Sequence, residues 1–230
     1  MPYVPGADDL WLLNAVTAAN GEMIAITGLV WMKDFAAGPT SKLTKHFLRL
    51  DMGIEVKDYP RVKTVFNPAG KRKFLYIGHT ADYKNTRIIE RIAATLPHFE
   101  GGHIGFGSIA GWKQLGSQLD LTPETMREIG EEYDIFVSVS TGDAQATTIL
   151  EQICFGLAVA STPETGYTFE SLYRLDSRDL DHNVKVLSEM RIASEGELLK
   201  HCEDNLRYAA EFHNWKDFAD RVVRFIGPLA

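Results

Sequence analysis

The chain has 230 residues, 45% of them hydrophobic and 24% charged, with 24 Lys and Arg against 31 Asp and Glu for a net charge of −7. That length and composition suit one large domain, or one medium domain with part of a second, built around an ordinary hydrophobic core. The acidic balance argues against a broad nucleic-acid surface, yet leaves room for a small basic pocket that takes a phosphate.

The only two cysteines, Cys154 and Cys202, lie far apart and belong to no CxxC pair, so they read as buried free thiols in a reducing compartment. The opening MPYVPGADD has no basic region of a signal peptide, and the apolar run 23–32 is too short to span a bilayer. A soluble, cytoplasmic protein is expected.

Residues 1–66 read as a small β-rich segment. A helix is expected over 8–19, with Leu10, Leu13 and Val16 on one side, and Asn20-Gly21 turns the chain. A strand-like run follows over 23–31. Residues 47–56, FLRLDMGIEV, alternate apolar and polar, which predicts a half-buried strand of an antiparallel sheet with one wet side. Residues 67–73, NPAGKRK, read as a linker.

From residue 74 onward strands and helices alternate, which predicts a Rossmann-like, doubly wound parallel sheet over 74–230. Strands are expected at 74–77, 103–106 and 134–140. Helix 86–96 should bury Ile88, Ile89 and Ile92, and Thr122-Pro123 marks a helix start by N-cap and first-turn proline. The stretch 141–165, TGDAQATTILEQICFGLAVASTPET, reads as loop, short helix, a closing Gly156 and a buried strand. A last strand is expected at 184–187. Helix 195–212 follows, and Asn214 is placed to cap a final helix with Phe218, Val222 and Ile226 on one stripe.

Three groups of residues could carry chemistry. At 78–85, GHTADYKN, a strand ends and a helix begins, so Gly78 and its neighbours offer free N–H groups to an anion beside Lys84 and His79. Taken alone, the same residues read more readily as a polar loop. Gly105-Phe106-Gly107 is a weak nucleotide signal and equally a plain turn. The sharper pair is Asp143 and Glu151. Asp143 is either a helix cap or a ligand-binding acid, and Glu151, on an otherwise apolar helix, either turns outward or points at a ligand. Carboxylates grip sugar hydroxyls through paired hydrogen bonds, and Thr147 and Thr148 in the first turn suit a phosphate. Asp179-Leu180-Asp181 has the spacing of an acidic metal motif but sits in a charged turn. The seven histidines form no ligand cluster, so no metal is expected.

Together these pieces resemble the donor-binding, C-terminal lobe of the retaining GT-B glycosyltransferases, the group 1 glycosyltransferase family. The resemblance rests on FLYIGHTADYK at 74–84, on Leu115-Gly116, LTPE and YDIFV within 112–140, and on Asp143 with Glu151 and its EQICFGLAV. His213-Asn214-Trp215 before the last helix adds to it. It covers about residues 72–227, with Asp143 in place of the usual first glutamate and His79 near where an arginine is usual.

The resemblance implies a nucleotide-diphosphate sugar as donor substrate and no metal cofactor. Lys84 would neutralise the diphosphate, beside Gly78 and His79, with Thr147 and Thr148 donating to it. Asp143 would hold the transferred sugar, Glu151 the ribose, and the backbone at Leu115 and Gly116 the base. Lys84 and Asp143 would be the catalytic pair. The acceptor, a sugar, glycan or membrane-associated molecule, would need a second lobe that residues 1–66 are too few to supply, from the same polypeptide or a partner chain. A non-catalytic nucleotide-sugar-binding or protein-interaction module of the same fold is the alternative, and a sugar-nucleotide isomerase a third reading.

Overall fold

Two hydrophobic clusters, one on each face of a single parallel sheet, organise the chain in the computed structural model, which describes residues 23–26, 46–118 and 121–226. Strands β1 (Met23–Ile26) and β2 (His46–Arg49) form a separate parallel pair. The main sheet holds β3 (Phe74–Ile77), β4 (Gly101–Ile104), β5 (Lys113–Gly116), β6 (Ile135–Ser138), β7 (Ala158–Ser161) and β8 (Tyr173–Arg174). The helices are α1 (Thr86–Thr95), α2 (Pro123–Glu132), α3 (Thr147–Phe155), α4 (Leu180–Ile192), α5 (Glu195–Phe212) and α6 (Trp215–Ile226).

The strand order is β5-β4-β3-β6-β7-β8, all parallel. Ranked by appearance within the sheet, that is 3-2-1-4-5-6, the order of a Rossmann-like doubly wound fold. Successive residues of β3 show why both faces must be covered. Phe74 and Tyr76 join Ile88, Ile89 and Ile92 of α1 and Leu187 and Met190 of α4 on one face. Leu75, between them, joins Met126 of α2 and Ile149, Leu150 and Ile153 of α3 on the other. Strands buried on both faces carry near-continuous apolar runs, and β6 and β7 do.

The expected helix starts hold. Thr122 caps α2 by accepting from the Thr125 N–H at 3.2 Å, Ser194 and Glu197 form a capping box at α5, and Asn214 accepts from Asp217 N at 2.8 Å. Gly156 ends α3 at φ 93°. A Cβ there would lie 2.6 Å from the Lys63 carbonyl oxygen, so only glycine fits.

Four expectations need correction. Residues 47–56 are not one strand of an antiparallel sheet: the strand stops at Arg49 and pairs in parallel with β1. The alternation beyond it reflects docking onto the C-terminal helices, where Ile54 N donates to the His213 carbonyl at 2.8 Å. The second strand of the main sheet is Gly101–Ile104 rather than 103–106, and Phe106 is 64% exposed. Strand β5 gave no strand signal because it is an edge strand with Lys113 and Gln114 exposed. The run 184–187 belongs to helix α4, capped by the Asp179 side chain on His182 N at 2.9 Å, and Asn183, Leu187 and Met190 are its buried face. The last strand is β8 instead. The expected helix at 8–19 and the end of the 23–31 run lie outside the described residues.

Residues 59–73 are strapped to the sheet unit. Val62 N and Lys63 N donate to the Phe155 carbonyl, Lys63 Nζ meets Asp134 at 2.8 Å with both side chains buried, and Asn67 bonds both oxygens of Asp134. Among the described residues no helix is long and apolar enough to cross a membrane.

Candidate functional site

In a sheet ordered 3-2-1-4-5-6, the connections leaving strands one and four depart to opposite sides, and a crevice opens between their carboxyl ends. Here those strands are β3 and β6, and the two loops are 78–85 and 139–146.

The first loop is fixed on its outer side by close backbone contact. Gly78 N donates to the Ile104 carbonyl at 2.8 Å, and His103 Nε2 donates to the Gly78 carbonyl at 2.8 Å. A Cβ on Gly105 would stand 2.1 Å from the Gly78 oxygen, so the two loops touch through glycine alone. This is the close approach for which the GFG run serves. Tyr76 OH donates to the His79 carbonyl at 2.9 Å. Asn85, left-handed at φ 55°, reaches across with its amide to the carbonyls of Val139 and Ser177.

The second loop is stitched to the first. Thr141 donates to the Tyr83 carbonyl through both N–H (2.8 Å) and hydroxyl (3.2 Å), and Asp143 N donates to the Glu164 carbonyl. The consequence is an ion pair between Lys84 Nζ and Asp143 Oδ2 across the crevice, the side chains 16% and 14% exposed. Two residues 59 positions apart, picked out separately in the sequence, are brought together.

Four residues past Asp143, α3 begins behind Ala146, whose side chain provides no cap. Thr147 and Thr148 form its first turn, so the positive end of the helix faces the same loop. Glu151 lies one turn further on. Burial raises its carboxyl above the ordinary glutamate range, and its charge acts on Tyr59, Tyr167 and Cys154. Tyr167 connects the two acids: its phenol is raised well above 10 by burial first, then by Asp143, Asp51 and Glu151. Its hydroxyl is buried without a hydrogen-bond partner.

His79 does not join the pair. Its ring is exposed, with Nε2 2.9 Å from Tyr83 OH and Nδ1 accepting from Ala81 N. Leu115 and Gly116 lie at the end of β5, two strands out from β3, where the Gly116 carbonyl accepts from Gly105 N at 2.8 Å and from the Gln114 amide. Asp179 is the N-cap of α4 and Asp181 lies in its first turn, so the pair expected in a charged turn begins a helix instead. Both cysteines are free and buried, and burial pushes each thiol up to about 12. Among the described residues no three His, Cys, Asp or Glu side chains are placed to hold a metal ion.

Sequence reasoning missed a belt of residues behind the site. Gln145, buried and at φ 60°, accepts from Met52 N at 2.5 Å and donates to Asp51 at 2.7 Å, and Asp51 meets Arg49 at 2.6 Å. On the far side of Met52, its carbonyl accepts from His213 Nδ1 at 2.9 Å. Residues 51–54 are thereby clamped between the Asp143 loop and the start of α6. A buried non-glycine residue with positive φ leaves no mark in a single sequence.

This fold is that of the GT-B glycosyltransferases, and the described sheet corresponds to their C-terminal lobe. The chain aligns with sucrose-phosphate synthase from Thermosynechococcus elongatus at a TM-score of 0.74 and 13% identity, over 98% of this chain and 64% of that one. It aligns with a UDP-forming α,α-trehalose-phosphate synthase from Burkholderia xenovorans at a TM-score of 0.73 and 10% identity, over 95% of this chain and 63% of that one. The C-terminal domain of a group 1 family glycosyl transferase from Francisella tularensis is covered completely, by 71% of this chain, at a TM-score of 0.54 and 14% identity. The chain thus spans less than two thirds of the two synthases. No family model and no curated protein sequence matches it.

Proposed function

We propose that this chain is the donor-binding part of a retaining glycosyltransferase that moves a sugar from a nucleoside-diphosphate sugar to a hydroxyl acceptor. The observation that carries the reading is the Lys84–Asp143 pair at the switch point, set against the uncapped start of α3. A diphosphate needs cationic and N–H donors, and Lys84 with the first turn of α3 supplies both. A sugar needs paired acceptors within reach of that diphosphate, and Asp143, the lysine's own partner, is such a carboxylate.

In this reading Lys84 and the N–H groups of Thr147 and Thr148 take the two phosphates, beside His79; the Gly78 N–H, expected to be free for an anion, is instead held by the Ile104 carbonyl. Glu151 accepts from the ribose hydroxyls, and Leu115 and Gly116 border the base. Asp143 accepts from the transferred sugar. In the reaction the bond from the anomeric carbon to the phosphate oxygen breaks, and the electron pair leaves with the diphosphate. The acceptor oxygen forms the new bond on the same face, and its proton passes to the departing phosphate oxygen. Charge that develops on the leaving group meets Lys84 and the helix end already in place.

Binding is tested first with a thermal-shift panel of UDP, GDP, ADP and their sugar conjugates, where a ligand at a hundred times its Kd adds about 2.7 kcal/mol of stability. Lys84→Ala and Glu151→Ala are each expected to weaken the responding nucleotide by roughly ten- to hundredfold, the loss of one charge-assisted contact. Undiminished affinity in both folded variants would sink the site. Turnover with a hydroxyl acceptor, a sugar phosphate first, separates the enzyme from a binding module.

A further inference from the structure

The segment 67–73 is not explained by the crevice, because it lies at the other end of β3. Lys73 immediately precedes that strand, whereas Lys84 follows it. Together with the residues leading into β4 and the last turn of α4, it surrounds a cavity of about 340 Å³. The lining includes Lys71, Arg72, Lys73 and Arg191 against one carboxylate, Glu100. In a chain of net charge −7 this is a local concentration of positive charge.

The cations of the lining are held in different ways. Arg72 is 2% exposed, and its guanidinium donates to carbonyl oxygens of Asn67, Met190 and Ala193, the last at 2.6 Å. It forms no ion pair with a carboxylate among the described residues, and a buried cation is ordinarily matched by an anion. Asp134, the acid with the strongest pull on it, is already occupied by Lys63 and Asn67. Independently, Arg191 Nε is buried with no hydrogen-bond partner. Neither Arg191 nor Lys71 forms an ion pair with a carboxylate among the described residues, so the charge that these two bring to the lining is not offset by a partner acid. Lys73 is the exception, since Glu132 at 2.9 Å and Glu100 at 3.4 Å hold it.

We infer that this cavity is a binding site for a small phosphorylated anion, separate from the crevice, with Arg191 and Lys71 as its ligand-contacting cations and Arg72 as the buried charge behind them. The volume is at the small end of ligand pockets, which fits a phosphomonoester of sugar size. Arg72 also holds the end of α4 against the 67–73 segment, so its removal would unfold the site. Lys71 is exposed and Arg191 half-buried, and both can be changed without that cost.

The test uses the full chain carrying Lys84→Ala, so that the crevice contributes little. Inorganic phosphate and ribose 5-phosphate are titrated at constant ionic strength, by calorimetry and by amide chemical shifts. Saturable one-to-one binding is expected, with shifts centred on residues 70–73 and 98–100. Arg191→Gln and Lys71→Gln are each expected to weaken it about tenfold. An Arg191→Gln/Lys71→Gln double variant that melts like its parent and binds equally well would overturn the assignment. So would shifts centred on 78–85, or no binding at all. The double-variant result and an absence of binding leave the crevice reading untouched, whereas shifts at 78–85 would place the anion in the crevice instead.

Discussion

Replacing Asp143 by asparagine separates the two parts given to that carboxylate. Without ligand it holds Lys84, and both side chains are largely but not fully withdrawn from water, at 14% and 16% exposure. Two unit charges about 4 Å apart attract by roughly 4 kcal/mol at an effective dielectric of about 20, and lost solvation cancels most of that. A charge-assisted contact then retains about 1.5–3 kcal/mol, and partial exposure puts this one at the low end. In the proposed function, an incoming diphosphate has to take Lys84 from Asp143. Asp143→Asn is therefore expected to tighten a bare nucleoside diphosphate about tenfold, from about 1.5 kcal/mol no longer spent on breaking the pair. The same change should reduce the added affinity that the sugar gives, because asparagine replaces one acceptor oxygen with a donor. Calorimetry of a nucleoside diphosphate and its sugar conjugate against the parent, Asp143→Asn and Lys84→Ala measures both quantities. If Asp143→Asn weakens the bare diphosphate as much as Lys84→Ala does, the competition argument is wrong.

Further predictions concern the scaffold. His201 is buried, and its Nε2 accepts from Val159 N at 3.0 Å and from the Asn205 amide at 2.9 Å, so a proton there would face two donors; burial lowers its pKa to about 4. The unfolded chain takes up that proton near pH 6.5, so the stabilisation is complete above pH 6.5 and is lost as pH falls toward 4. Between pH 7.5 and 4.5 about 2.5 kcal/mol of unfolding free energy should disappear in urea titrations, and His201→Gln should remove that part of the slope. An unchanged slope in the variant contradicts it. Gly156→Ala puts a methyl 2.6 Å from the Lys63 oxygen at φ 93°, and should destabilise by at least about 2 kcal/mol in the same assay. Cys154 and Cys202, both raised to about 12, should resist a thiol reagent at pH 8 in the native protein and react in denaturant.

Elements whose own residues decide them were readable in the sequence. Helix α5 matches at both ends because Ser194 and Glu197 cap it locally and the turn at His213 and Asn214 stops it. Gly156 ends α3 for reasons of its own backbone. The misread elements are those in which a distant partner decides. The Val184-Lys185-Val186-Leu187 run has β-branched residues, yet the Asp179 cap and burial at 183, 187 and 190 make it helical. Strand β5 exists because β4 pairs with it, and its exposed residues show no apolar period. The site divides in the same way. Lys84, Asp143 and Glu151 were marked by residue type and spacing. The belt behind them was not: Gln145 meets Asp51 across 94 positions and His213 meets Met52 across 161. His213 stood out only through resemblance, with no role attached.

The strap over 59–73 sets where the polypeptide can be divided. A chain beginning at residue 74 would keep every strand of the main sheet and still lose its keystone, because Asp134 would remain interred with neither Lys63 nor Asn67 to answer it. Leaving one member of a buried pair alone costs about 3–5 kcal/mol, a large share of what a domain has. The C-terminal ends of α3 and α4 would be uncovered as well, the first by loss of Val62 and Lys63, the second by loss of Arg72. Excision should therefore be made upstream of residue 50, so that the lobe travels with its own binding cord.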